Sequence, residues 1–516
     1  MDKPGSITRR DFLNLAGAGS AIALAATHPW LSALAAPSQN FIPDLELELT
    51  ALRNRVSILS GKSTETFSYR GKVLKGDKRA LQPITGSYLG PIIRVHRGQK
   101  IRVHFNNDLG EKTIVHWHGL NVPQEADGHP RLAIRSGKRY VYEFEVKDRA
   151  GSYWFHPHPH ELTGRQVYGG LAGLFLVTDK EEQALNLPSG EFDIPLVIQD
   201  RRFNRGNELV YLGSPMERMR GFLGDHILVN GRPDFVLPVA TRPYRFRLYN
   251  GSNSRIYKLA WDDGTPLTVI GTDGGLLEKP VTRPYITLAP AERIELWVDF
   301  SRDKVGTERV LRSLPFEGSM SGGMMGMMMG GGTISMGTEF PVMKVRVERK
   351  IRHNVSLPGR LSTIKRYRLN DAVNKKSPRN FRLTMRRMSW GLNGRTFDMS
   401  EVAPNEIVKL NTTEVWEFVN DSSMGMMGGG LPHPIHIHGL QFQVVQRTIT
   451  SRSKSAWRSL SAGLVDGGWK DTVLVMPGER VQLLLRFEDY TGLYLYHCHN
   501  LEHEDMGMMR NYQVQA

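Results

Sequence analysis

A chain of 516 residues is long enough for two to four domains with sizeable cores. Its formal net charge of +15 is spread along the length and no nucleic-acid motif accompanies it, so the surplus reads as solubility or contact with an anionic envelope rather than nucleic-acid binding. No apolar run is long and clean enough for a mature transmembrane helix, and the single cysteine excludes an intrachain disulfide.

The N-terminal stretch predicts export. Thr8-Arg9-Arg10-Asp11-Phe12-Leu13 is a twin-arginine pattern, followed by a weakly apolar run and the small-residue cleavage site Ala33-Leu34-Ala35. Residues 1–36 are therefore set aside from the fold as a signal segment. The protein is expected in the periplasm or otherwise outside the cytoplasm, exported already folded.

Short apolar segments separated by Gly, Pro, Asn and Asp follow. Pro91-Ile92-Ile93-Arg94-Val95, Lys100-Ile101-Arg102-Val103-His104-Phe105 and Tyr140-Val141-Tyr142-Glu143-Phe144-Glu145 are examples. The last alternates apolar with polar, the period of a half-buried strand. Frequent short strands with scarce helical periodicity predict an all-β chain of sandwich domains.

One unit recurs. Strands ending Phe105-Asn106-Asn107, Leu248-Tyr249-Asn250 and Phe418-Val419-Asn420 each close on asparagine. Three related domains are expected, over residues 41–180, 181–350 and 351–516. Ser319–Met336 breaks the pattern: seven methionines lie among glycines and serines, the composition of a low-complexity insertion rather than a core. A second methionine patch, Met424, Met426 and Met427, precedes a histidine cluster.

Four His-x-His pairs punctuate the chain: His116/His118, His156/His158, His436/His438 and His497/His499. Residues two apart on a strand share a face, so each pair can present two imidazoles to one cavity. The fourth pair flanks Cys498, with His503 five residues beyond it and Met508 ten beyond. Thiolate, imidazole and a weak thioether form the ligand set of a blue-copper site. On a strand Cys498 faces one way and its flanking histidines the other, so one tripeptide can serve two metal centres.

The contexts His116-Trp117-His118-Gly119, Trp154-Phe155-His156-Pro157-His158, His433-Pro434-Ile435-His436-Ile437-His438-Gly439 and His497-Cys498-His499, in this order, resemble those of the multicopper oxidases. That resemblance spans the chain beyond the signal segment. It implies three cupredoxin-like Greek-key β-sandwiches and four copper ions. His433, Cys498 and His503 would hold the mononuclear type 1 copper, with Met508 axial and Met506 and Met509 as neighbours. His116 and His436 would hold the type 2 copper. His118, His156, His158, His438, His497 and His499 would hold the type 3 pair. Glu504 and Asp127 match the acidic residues that relay protons in the family. His160 is read as lying beside the site. His96, His104, His129, His226 and His353 carry no assigned role.

The resemblance further implies an oxidase that passes electrons from a donor to dioxygen, reducing it to water; a monomer is expected. Thioethers select Cu(I), so the methionine-rich segment favours Cu(I), with Fe(II) as a second donor and a role in copper tolerance or metal homeostasis. A laccase-type oxidation of phenols and aromatic amines is the alternative, and a copper-free envelope-assembly protein of the same fold is the third reading. Related cuprous oxidases carry acidic and methionine residues directly before the His-Pro-x-His-x-His motif. Here Gly429-Gly430-Leu431-Pro432 occupy those places, so a specific cuprous site does not carry over.

Overall fold

A computed structural model describes residues 38, 40–317, 334–386, 388–421 and 430–516. The signal segment, the methionine-rich stretch up to residue 333 and the patch Met424–Met427 lie outside them. The described chain is mostly β, in six sheets that fall into three sequential pairs. The first pair holds the strands from Leu45–Val56 to Gly173–Thr178. The second runs from Asp193–Arg201 to Phe340–Arg349, and the third from Arg379–Arg386 to Met509–Gln515. Each pair encloses its own apolar core, centred on Trp117, Phe246 and Trp416 respectively.

The three pairs repeat one pairing scheme. Lys100–Asp108 lies parallel to Leu45–Val56 and antiparallel to Lys138–Glu145. Pro243–Asn250 does the same with Asp193–Arg201 and Arg293–Asp299. Thr413–Val419 does so with Arg379–Arg386 and Glu479–Arg486. The asparagine closing each copy has a physical task. Asn107 Nδ2 donates to the carbonyls of Glu111 and Ile134, Asn250 Nδ2 to those of Arg255 and Leu288, and Asn420 Nδ2 to those of Leu431 and Val475. One primary amide thus bridges two main-chain carbonyls where the strand ends.

Candidate metal centres

Strand pairing sets the histidines in place. Val115–His118 runs antiparallel to Gly151–Pro157 with His116 opposite His156. His433–Ile437 runs antiparallel to Gly492–Cys498 with His436 opposite His497. Alternate residues share a face, so the first sheet pair offers four imidazoles on one side and the third pair offers four more. These faces meet. His116 stacks on His438 and His118 on His436, each with ring centroids 3.7 Å apart. All eight rings are buried.

Their ring nitrogens converge. His116 Nε2 lies 3.3 Å from His436 Nε2. His156 Nε2 lies 3.3 Å from His118 Nδ1 and 3.4 Å from His499 Nε2. His497 Nε2 lies 3.3 Å from His158 Nε2 and 3.0 Å from His438 Nε2. The opposite nitrogens show which atoms carry protons. Those of His116, His436, His156 and His497 face the carbonyl oxygens of Asp127, Asp471, Pro157 and Cys498. His438 Nδ1 faces Asp127 Oδ2 at 2.8 Å, and His118 Nε2 faces Asp471 Oδ1 at 3.1 Å. A carbonyl oxygen only accepts, so the outward nitrogen is N–H and the inward one of a neutral ring is a bare lone pair. Burial, reinforced by the neighbouring rings, holds His116, His118, His438 and His499 well below the ordinary histidine value. Burial likewise brings His156 down to about 4 and His158 to about 3. Neutral lone pairs aimed at one another at 3.0–3.4 Å repel unless a cation sits among them, which is the test a metal cluster must pass.

A second nest lies on the other face of the Gly492–Cys498 strand. Cys498 Sγ is 3.4 Å from His433 Nδ1 and 3.8 Å from His503 Nδ1, and those two nitrogens are 3.2 Å apart. A point about 2.0 Å from all three atoms exists within that triangle, an ordinary metal–ligand distance. Met508 is buried in the same apolar cluster as Cys498, Met506 packs partly against that cluster, and Met509 is buried outside it. Burial pushes the Cys498 thiol up and brings His433 down to about 3. A thiolate forms here only with a cation beside it, and sulfur with two imidazoles and a thioether suits copper. The segment Leu501–Asp505 begins two residues after His499, and the intervening Asn500 caps it by accepting from His503 N–H.

Of the acids read from the sequence, Glu504 is buried with Oε2 3.0 Å from His497 Nδ1 and Oε1 3.5 Å from His158 Nε2. Neither oxygen completes a hydrogen bond among the described residues. Burial alone would raise this carboxyl, but the facing rings of His497 and His158 outweigh it and bring it down to about 2. Asp127 is buried, has one oxygen on His438, and is raised well above the carboxylate range by burial. Of the histidines given no role, His129 is buried and bonds Asn511, while His104 pairs with Glu46. His160 is partly exposed beside Phe397.

Sequence reading missed several residues. Met219 O accepts from both His503 Nε2–H (3.0 Å) and Trp390 Nε1–H (2.9 Å), and the Trp390 ring lies against His433 and His503. Glu502 is a buried acceptor for Tyr211 O–H, Phe222 N–H, Asn253 and Ser254. Asp471 touches two of the rings. A carbonyl has no sequence signature, but the polar run Lys470-Asp471-Thr472 leading into an apolar strand was a usable signal. A cleft of about 680 Å³ is lined in part by Asn121, Gly439, Gln441 and Trp469, of which Gly439 directly follows His438.

Comparison with known proteins agrees with this geometry. Residues 68–182 and 372–516 each match a family profile described as multicopper oxidase. The chain is 31% identical to the Staphylococcus aureus multicopper oxidase mco over 88% of each chain. It is 31% identical to a Bacillus subtilis laccase over 82% of this chain and 88% of that one. It is 28% identical to the Dickeya dadantii cell division protein FtsP over 99% of both. Among solved structures, the McoA multicopper oxidase of Aquifex aeolicus superposes with a TM-score of 0.77 at 36% identity, covering 92% of this chain and 97% of that one.

Proposed function

The chain belongs to the multicopper oxidase family, and from that premise we propose that it is an extracytoplasmic metallo-oxidase, with Cu(I) as its main donor, Fe(II) as a second and dioxygen as acceptor. His433, Cys498, His503 and Met508 hold one copper ion. His116 and His436 hold a second, and His118, His156, His158, His438, His497 and His499 hold a pair. Bound copper supplies the redox chemistry, one-electron oxidation of the donor and four-electron reduction of dioxygen to water.

The chain's own residues do the rest. Cys498 joins the two nests covalently, because its main chain continues directly into His497 and His499. Outward N–H bonds fix six of the eight rings with the lone pair inward, which reduces reorganisation on ligand binding. Asp127, on His438 and raised by burial, holds and releases a proton next to the eight-ring cluster, and Glu504, a carboxylate with unspent acceptor capacity beside His497 and His158, accepts protons only in passing. The complete donor set argues against a copper-free assembly role, despite the similarity to a cell division protein.

The observation that carries the donor assignment is the cover over His503. Its Nε2–H is spent on Met219 O, and Trp390 closes over both imidazoles of the nest. A bulky phenol therefore meets no free edge of His503, whereas a metal ion needs only a ligand on the surface above it. The methionine-rich Ser319–Met336 supplies thioethers suited to that ion. Relatives named laccase favour the phenol reading as the alternative. Steady-state turnover of Cu(I), Fe(II) and a phenol by the copper-loaded protein, with and without residues 319–336, separates the two. The deletion should raise KM for Cu(I), keep the copper content, and leave phenol oxidation equal or faster. Unchanged Cu(I) kinetics together with lost phenol oxidation would transfer the assignment to a laccase.

A further inference from the structure

We infer that Arg293 and Asp471 form a positioning pair that fixes the tautomer of His118, so that the middle third of the chain, which supplies no metal ligand, decides which nitrogen His118 offers to the cluster. The inference rests on the copper assignment above.

His118 is the exception among the cluster rings whose outward nitrogen has an acceptor. The others turn Nδ1 outward and Nε2 inward, whereas His118 turns Nε2 toward Asp471 Oδ1 and Nδ1 toward His156. Nothing local to His118 imposes this, and its partner comes from another sheet pair. Asp471 is held in turn by Arg293, whose Nη1 and Nη2 donate to Oδ1 and Oδ2 as a fork. The remaining Arg293 donors go to the carbonyls of Ser152, Ala291 and Asp273 at 2.8–3.1 Å. All five N–H groups of this buried guanidinium are therefore used, by acceptors from all three sheet pairs.

A comparison within the site shows what the arginine adds. Asp127 and Asp471 each hold one stacked pair of rings in the same manner. The carbonyl of Asp127 accepts from His116 and its carboxylate faces His438; the carbonyl of Asp471 accepts from His436 and its carboxylate faces His118. Asp127 Oδ1 is buried without a partner among the described residues, whereas both Asp471 oxygens are engaged by Arg293. One aspartate has a free lone pair for a proton, and the other is fixed as an acceptor. Gly119 adds an independent sign that the space is reserved. It has φ +87°, and a Cβ there would run into Asp471 Oδ2 and Arg293 Nη2.

The test uses Asp471→Asn and Arg293→Lys in the full chain, loaded with copper and then titrated with a chelator. An amide at 471 can turn its NH2 toward His118, which then accepts at Nε2 and carries its proton on Nδ1, the nitrogen facing the cluster. Copper bound by the imidazole cluster should be held about 10- to 100-fold more weakly in Asp471→Asn, the usual effect of losing a ligand's outer partner. The blue absorption of the Cys498 nest should persist, and the metal-free variant should remain folded but melt below the parent, because a buried guanidinium loses a charged partner. Arg293→Lys keeps the charge and loses the fork, so it should fall between parent and Asp471→Asn. Parent-like retention of cluster copper in both variants overturns the inference. So does equal loss of blue absorption and cluster copper, which marks the pair as a general structural support. A parent protein that never turns blue instead rejects the copper assignment itself. Should Asp471→Asn fail to fold, Arg293→Lys alone decides by the same selective loss.

Discussion

Removing copper should make the protein acid-labile above pH 5. Nine imidazoles of the two nests are depressed below the ordinary value of 6.5. Burial is the leading cause in every case. In the unfolded chain these rings protonate near pH 6.5, while in the native chain they stay neutral down to about 4 for His156 and about 3 for His158 and His433. The unfolded state thus binds more protons throughout that interval. The stability contribution is complete above pH 6.5 and is lost as pH falls toward those folded values. Each ring withholds about 1.4 kcal/mol per pH unit, so nine together reach at most about 12 kcal/mol per unit. That is comparable to the whole stability of a typical domain, about 5–15 kcal/mol. Circular-dichroism melts of chelator-stripped and copper-loaded protein at pH 7.5, 6.5 and 5.5, with calorimetric proton uptake, provide the assay. Stripped protein should be unfolded or nearly so at pH 5.5. Loaded protein should be far less sensitive, because copper competes for the same lone pairs. Stripped protein equally stable at pH 5.5 and 7.5 would show that the rings are not held neutral, and the reasoning fails.

Cys498→Ser should abolish the blue absorption while the imidazole cluster keeps its copper, read by copper analysis and optical spectra; a blue variant refutes the assignment. Glu504→Gln should slow dioxygen reduction and leave the blue absorption and its bleaching by donor intact, whereas loss of the colour would make Glu504 a structural support. Glu502→Gln should destabilise the metal-free protein by about 2–4 kcal/mol, because an amide offers one acceptor to donors that now share a carboxylate, and bonds to charged groups are worth about 1.5–3 kcal/mol each. An unchanged thermal midpoint in that variant would show that this tether carries no load.

The parts of the site readable from sequence are those written at strand period. His116/His118 and His436/His438 are legible because two residues on a strand share a face, and the strand pairing then sets His116 opposite His156 and His436 opposite His497. The closing asparagines are legible for a similar reason, since Asn107, Asn250 and Asn420 repeat one local task in each copy. Arg293 and Asp471 are not legible in this way. They stand 178 residues apart, and neither has a periodic neighbour that marks it. Met219 acts through its carbonyl, which any residue could supply. Glu502 lies inside the recognised C-terminal motif, yet its four donors come from residues 211–254, and only the tertiary fold brings them together.

The middle third therefore does more than separate the two thirds that carry the clustered imidazoles. It reaches the Cys498 nest through Met219 O on His503 and through the donors on Glu502, and it reaches the imidazole cluster through Arg293 on Asp471. In both places it acts on the side of the ring facing away from the nest. The reason lies in the cluster's own electrostatics. Inward lone pairs at 3.0–3.4 Å cannot hold one another in position, so ring orientation depends on the outward N–H bonds. Apolar packing fixes where a ring sits, but it is indifferent to which nitrogen bears the proton. Only an acceptor of fixed direction makes that choice, and for His118 the acceptor keeps its direction because a guanidinium from the middle third holds both of its oxygens, with Thr472 O–H and Gln441 Nε2 donating to one each.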